Sequence, residues 1–263
     1  MTESPFGHRM DRMTDLYTTI VEDTKTFLGT DNDVIILTGS GTEFWEATTL
    51  NLVDERVLVP VCGAFSERYA NVAERLGKEV DRLEYEWGEA VKPEDVREAL
   101  EASDEGYDMV AGVMNESSTG IRNPIEEMGD VIREYPDTYF AVDAVSSLGG
   151  DYVDIDAHDI DVIFASTQKA FAMPPGLAVC VVSQDAYDRE VEKGTSSWYG
   201  GFRRCIDYYD RKGQTHSTPA IPIMLAYRKQ MKRMLDEGHA ARDERHREMM
   251  AYVHDWADEH FAM

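Results

Sequence analysis

The chain has 263 residues, 43% of them hydrophobic, enough to bury one large or two smaller cores. Asp and Glu total 51 against 26 Lys and Arg, a net charge of −25, which sets the surface against nucleic acid. No run of about 18 apolar residues predicts a membrane span, and the charged, mixed N-terminus is no secretion signal.

The acids are spread along the whole chain, and eighteen of the 26 cations are arginines. In molar salt the screening length falls to about 3 Å, so such a surface stays soluble without tearing the fold apart. The charge therefore predicts a halophilic setting. Cys62, Cys180 and Cys205 are odd in number and scattered, which predicts no disulfide framework and points to a reducing cytoplasm.

Apolar, β-branched runs alternate with helical patterns in chain order. VIILTG (34–39) reads as a strand, and GSGTEFWEATTLNLV as a turn entering a helix. RVLVPV (56–61) is a strand, and SERYANVAERLG (66–77) a helix stopped by Gly77. A strand over 79–87 is followed by a helix over 93–102 with Pro93 near its start. Strands at 107–115, 138–145, 161–166 and 177–183 follow, with a helix at 124–135. From Pro222 the pattern is long helix broken at Gly238. His239, His246 and His254 lie on this stretch and are expected on a solvated helix face, not around a metal. The alternation predicts an α/β fold, with a mostly parallel seven-stranded sheet and helices on both faces.

Ligands of such sheets bind beyond the carboxyl ends of the strands. There the sequence places Thr38-Gly39-Ser40-Gly41-Thr42, Cys62-Gly63-Ala64-Phe65, Asn115 to Gly120, Asp143, and Ser166-Thr167-Gln168-Lys169. Each piece has two readings. TGSGT opening a helix suits a phosphate through free N–H groups and a positive dipole end, or is a glycine-rich turn with a hydroxyl cap. It is no dinucleotide fingerprint, because Phe44 stands where the third glycine belongs. Asp143, closing an apolar strand, needs a partner such as a cationic ring nitrogen, an arginine or a helix end. Phe65 can stack on a ring or fill the core. Lys169 becomes a nucleophilic amine if burial lowers its pKa, or is a surface lysine. Taken in order, they supply a phosphate cup, a ring stacker, an acid for a ring nitrogen and an amine, as pyridoxal phosphate requires.

The chain resembles the class V, fold-type I aminotransferases of the alanine–glyoxylate and serine–pyruvate type. The resemblance rests on GHR (7–9), LTGSGTEFWEA (37–47), GAFSERYANVAERLG (63–77), NESSTGIRNP (115–124), VDAVSSLGG (142–150), STQKAFAMPPG (166–176) and STPAIP (217–222). It implies a three-layer fold and a pyridoxal 5′-phosphate cofactor joined to Lys169, which also shuttles protons. Asp143 would pair with the pyridine nitrogen, Phe65 would stack where better-known members carry Trp, and Val145 would pack on the other face. Ser40, Gly41, Thr42 and Gln168 would hold the phosphate, with Ser117 near ring and substrate. Thr218 would reach the phosphate of a neighbouring subunit, implying a homodimer.

The implied reaction moves an amino group from alanine or serine to glyoxylate or pyruvate. Phosphoserine or aminoethylphosphonate transamination is the alternative activity, and a cofactor-binding remnant the non-enzymatic one. Cysteine desulfurases share the fold but carry His where Gln168 stands. Residues 1–263 match the family's large domain, with its small C-terminal domain missing or only begun near 240–263. The arginine that grips the substrate carboxylate belongs to that small domain, and no matched motif supplies it.

Overall fold

The computed structural model describes residues 6–194 and 196–261. Its first element is α1 (Asp11–Leu28), an amphipathic helix with a stripe from Met13 through Leu16, Tyr17, Ile20 and Val21 to Phe27 buried at helical spacing. Alternation then follows: β1 (Asp33–Gly39), α2 (Thr42–Leu52), β2 (Arg56–Val61), α3 (Ala64–Arg75), β3 (Glu79–Glu84), α4 (Pro93–Ala102) and β4 (Met109–Val113). A short hairpin, β5 (Asn115–Glu116) and β6 (Ile121–Arg122), precedes α5 (Ile125–Ile132), β7 (Tyr139–Asp143), β8 (Val162–Ser166) and β9 (Gly176–Val182). Four helices close the described chain: α6 (Gln184–Lys193), α7 (Phe202–Lys212), α8 (Ile221–Glu237) and α9 (His239–His260).

Seven strands form one sheet in the order β1-β9-β8-β7-β4-β2-β3. The pairs among β8, β7, β4, β2 and β3 are parallel, whereas β9 runs antiparallel to both β1 and β8. A seven-stranded, mostly parallel sheet is thus what the alternation predicted. The reversal at β9 arises because only the turn 167–175, with no crossover helix, joins β8 to β9. Consequently the C-terminal ends of β1, β2, β4, β7 and β8 and the start of β9 share one edge.

Successive strand residues enter opposite apolar layers. Val34 and Ile36 pack with α1 and α8, while Ile35 and Leu37 pack with α2 and α7. Leu58 and Val110 join the first layer, and Val57, Val59, Met109 and Ala111 the second. Covering both faces explains why these strands read as unbroken apolar runs. The edge strand β3 differs: EVDRLE is half-exposed and charged, and charge on an edge discourages pairing with another chain.

The helix predicted over 124–135 is Ile125–Ile132, and the strand predicted over 79–87 stops at Glu84. Gly238 does break the last helical stretch. His239 departs from the expected solvated face. It is buried, stacked on Phe27 of α1 with ring centroids 4.5 Å apart and edge-on to Tyr152 at 5.1 Å, because it starts α9 between these two rings. His254 is exposed as expected, and among the described residues no cluster of His, Cys, Asp and Glu could hold a metal ion.

Candidate active site

A cavity of about 150 Å³ opens at the shared strand edge. It gathers eight of the ten residues selected from the sequence: Ser40, Gly41, Thr42, Phe65, Asp143, Val145, Gln168 and Lys169. Ser117 stands at the exposed rim, its hydroxyl 2.7 Å from that of Ser146, which does line the cavity. Thr218 is exposed and does not line it.

Asp143 is the chemically unusual group. It ends β7 at 4% exposure. The Val145 backbone N–H donates to Oδ1 at 2.8 Å, and the Trp45 indole N–H donates to Oδ2 at 2.7 Å. Burial pushes its pKa up to about 6; the two donated bonds and the Lys169 charge work against burial, and the Glu116 charge adds to it.

The turn before α2 approaches its neighbours closely. The Gly41 N–H donates to Ser166 Oγ at 2.6 Å, and a Cβ at Gly41 would overlap Val145 Cγ2. Glycine is needed here for room, since its φ of −55° suits any residue. No side chain caps the first turn of α2, which leaves the positive end of the helix at the cavity with the hydroxyls of Ser40 and Thr42.

Phe65 is held from below by Glu116. This carboxylate is fully buried, and its Oε2 accepts the N–H groups of Phe65 and Ser66, each at 3.0 Å, at the start of α3. Its Oε1 accepts the Ser118 hydroxyl at 2.6 Å. A Cβ at Gly63 would come within 2.5 Å of Glu116 Cγ, so glycine precedes the helix where the acid must pass.

Lys169 sits in a turn that bonds to itself. Ala172 N–H reaches the Lys169 carbonyl at 2.8 Å, Met173 N–H the Thr167 carbonyl at 3.0 Å, and the Thr167 hydroxyl the Pro174 carbonyl at 2.9 Å. Ala172 takes φ +54°, a strained value for a residue with a Cβ. From α9, the buried Arg242 donates to the carbonyls of Gly149 and Ala170, each at 2.7 Å, and pairs with Glu237. The lysine between two strands is therefore explained: the strands and Arg242 fix the turn that carries it. Lys169 itself is exposed at the cavity mouth.

Trp45, Asn115 and Glu116 carry parts of the site that sequence reasoning did not assign. Trp45 had a visible signal: it follows Gly41 by one helical turn and so faces the cavity. Asn115 and Glu116 had none beyond their place after a strand. No arginine lines the cavity among the described residues. A larger cleft, about 780 Å³, lies at the opposite sheet edge and is lined by Asp156, Asp159, Asp161, Asp185 and Asp188, remote from this chemistry.

A buried carboxylate, an amine at the mouth and a glycine-rich helix start thus meet on one sheet edge. The family model for Aminotransferase class-V matches residues 2–259. The chain belongs to this family. It is 39% identical over 245 residues to an uncharacterized aminotransferase of Methanocaldococcus jannaschii, covering 91% of this chain and 63% of that protein. It is 32% identical to the serine–glyoxylate aminotransferase of Methylorubrum extorquens, over 88% of this chain and 60% of that one. The crystal structure of alanine–glyoxylate aminotransferase from Nostoc sp. superposes with a TM-score of 0.91 at 30% identity, over 98% of this chain and 69% of that chain. The chain thus spans under two thirds of the length of these two curated relatives. The class-V, fold-type I architecture read from the motifs is the one observed.

Proposed function

We propose that this chain is the cofactor-binding part of a pyridoxal-phosphate aminotransferase that passes an amino group from alanine or serine to glyoxylate or pyruvate. The observation that carries the reading is Asp143, a buried carboxylate that accepts two N–H groups and stands in a cavity with Lys169 at its mouth. Two further features suit a polar aromatic ligand. Asn115 Oδ1 and Gln168 Oε1 are buried without a hydrogen-bond partner, and both residues line the cavity. Close packing of Gly41 on Val145 and Ser166 brings the start of α2 against the wall, as a phosphate there would require.

When bound, pyridoxal phosphate supplies an aldehyde that condenses with amines and a ring that withdraws electrons. Asp143 would meet the ring nitrogen as an anion and keep it protonated. Ser40, Thr42 and the helix end would take the phosphate, and Phe65 and Val145 would supply apolar walls. Lys169 Nζ would hold the aldehyde carbon at rest and, once displaced by substrate, carry the proton taken from substrate Cα. Similarity to a serine–glyoxylate and an alanine–glyoxylate aminotransferase supports serine or alanine as donor and glyoxylate as acceptor. Thr218, exposed and outside its own cavity, fits a role across a homodimer interface.

Borohydride reduction of the protein mixed with pyridoxal phosphate tests the assignment. Labelling is expected at Lys169, and Lys169→Ala is expected to abolish it. Label fixed on another of the eight lysines would sink the reading.

A further inference from the structure

Asp143 is held from two sides, and only one of its holders is backbone. The other, Trp45, lies in the first turns of α2 and is 6% exposed. Its indole stacks on Tyr69 of α3, with centroids 6.0 Å apart and planes inclined by 29°. The Tyr69 hydroxyl is itself 2.6 Å from Thr48 Oγ1, so the stack is tied between the two helices. The indole N–H has no choice of geometry: it is a donor only, and it points at Oδ2 at 2.7 Å.

A buried carboxylate ending a strand can fail as a partner for a ring nitrogen in two ways. It can rotate, or it can take up a proton. One donor on each oxygen resists both, since the pair sets the carboxylate plane and each bond favours the charged form. The charged and titratable groups facing Asp143 are Glu116 beyond β4, which opposes the charge, Lys169 after β8, which favours it, and the paired Tyr69.

We propose that Trp45 is a positioning residue of the site: its indole N–H locks Asp143 in one orientation and in its ionised form, so that a pyridine nitrogen meets a fixed anion. This rests on the reading of the cavity as a pyridoxal-phosphate site and adds to it the group that prepares Asp143. The burial-raised pKa of about 6 leaves Asp143 little margin below neutrality. Loss of one hydrogen bond to a charged group would raise its midpoint by about one to two pH units, into the neutral range.

Four tryptophans give four indole N–H resonances in the protein labelled with nitrogen-15 tryptophan, and Trp45→Phe identifies the one from Trp45. That resonance is expected to titrate with a midpoint near 6 in the ligand-free protein and to stop titrating in Asp143→Asn. Pyridoxine phosphate, which lacks the aldehyde and so leaves Lys169 out, is then titrated into each protein at neutral pH. Trp45→Phe should bind it roughly tenfold more weakly or worse. Benzothienylalanine at position 45, which keeps the two-ring shape but replaces N–H by sulfur, should show the same loss and separates the hydrogen bond from packing. An indole resonance that ignores Asp143, or unchanged affinity in the benzothienylalanine protein, overturns the role of Trp45. If the resonance titrates but the unaltered protein binds no pyridoxine phosphate, the ligand reading falls, and the role toward a pyridine with it.

Discussion

Asp143→Asn in the ligand-free protein separates the cost of the site from its use. The carboxylate's pKa stands at about 6 against an ordinary 3.8. A difference of about two pH units corresponds to roughly 3 kcal/mol, at ~1.4 kcal/mol each. Because the native pKa is the higher one, the native state binds the proton more tightly than the unfolded chain. Asp143 therefore costs no stability below about pH 4, begins to cost as pH rises through the window from about 4 to 6, and costs the full roughly 3 kcal/mol above it. Asparagine does not titrate, and its single carbonyl oxygen can satisfy only one of the Val145 and Trp45 donors. The other loses its acceptor at a pH-independent cost of about 1–3 kcal/mol. The variant is thus expected to match or exceed the parent protein by up to about 2 kcal/mol at neutral pH, and to fall below it by about 1–3 kcal/mol near pH 4. Urea unfolding of both proteins in matched salt, in half-unit pH steps, reads the difference directly. A gap that stays constant with pH, or moves in the other direction, would show that Asp143 is not a desolvated carboxylate and would remove the argument for a cationic partner.

Two further outcomes follow from packing and charge. Gly41→Ala should destabilise by about 1–3 kcal/mol through overlap with Val145 Cγ2, and Val145→Ala in the same chain should restore most of it; equal losses in the single and double variants would refute the contact. The net charge of −25 predicts a melting temperature that rises from dilute buffer to about 2 M KCl, and no change over that range would refute the halophilic reading.

Periodicity along the chain carried most of the fold. Runs such as VIIL and RVLVPV are apolar on both faces because both faces are covered, and six of the seven sheet strands were legible for that reason, the charged edge strand β3 being the exception. The same logic could have revealed α1: Met13, Leu16, Tyr17, Ile20, Val21, Thr24 and Phe27 follow helical spacing, but the interleaved charges of a very acidic chain hide the stripe from a reading by composition. Elements α6 and α7 are harder, since QDAYDREVEK and FRRCIDYYDRK each bury only two or three side chains.

Local sequence also determined the chemical types at the site, because small, hydroxylic and ionisable residues after apolar strands have no structural use in number there. It could not determine which of them meet. The hydrogen bond from Trp45 to Asp143 joins residues 98 apart, and Glu116 reaches the start of α3 across 50 residues of chain. Those contacts depend on how α2 and α3 sit over the sheet, which no local pattern encodes. The exposure of Lys169 belongs to the same class: its neighbours in sequence are apolar strands, but the turn that carries it projects from the sheet edge and is held there by Arg242, 73 residues later. Covalent neighbours decide what a residue can do; the packing of distant segments decides what it faces, and at this cavity the second decides whether Asp143 carries a charge.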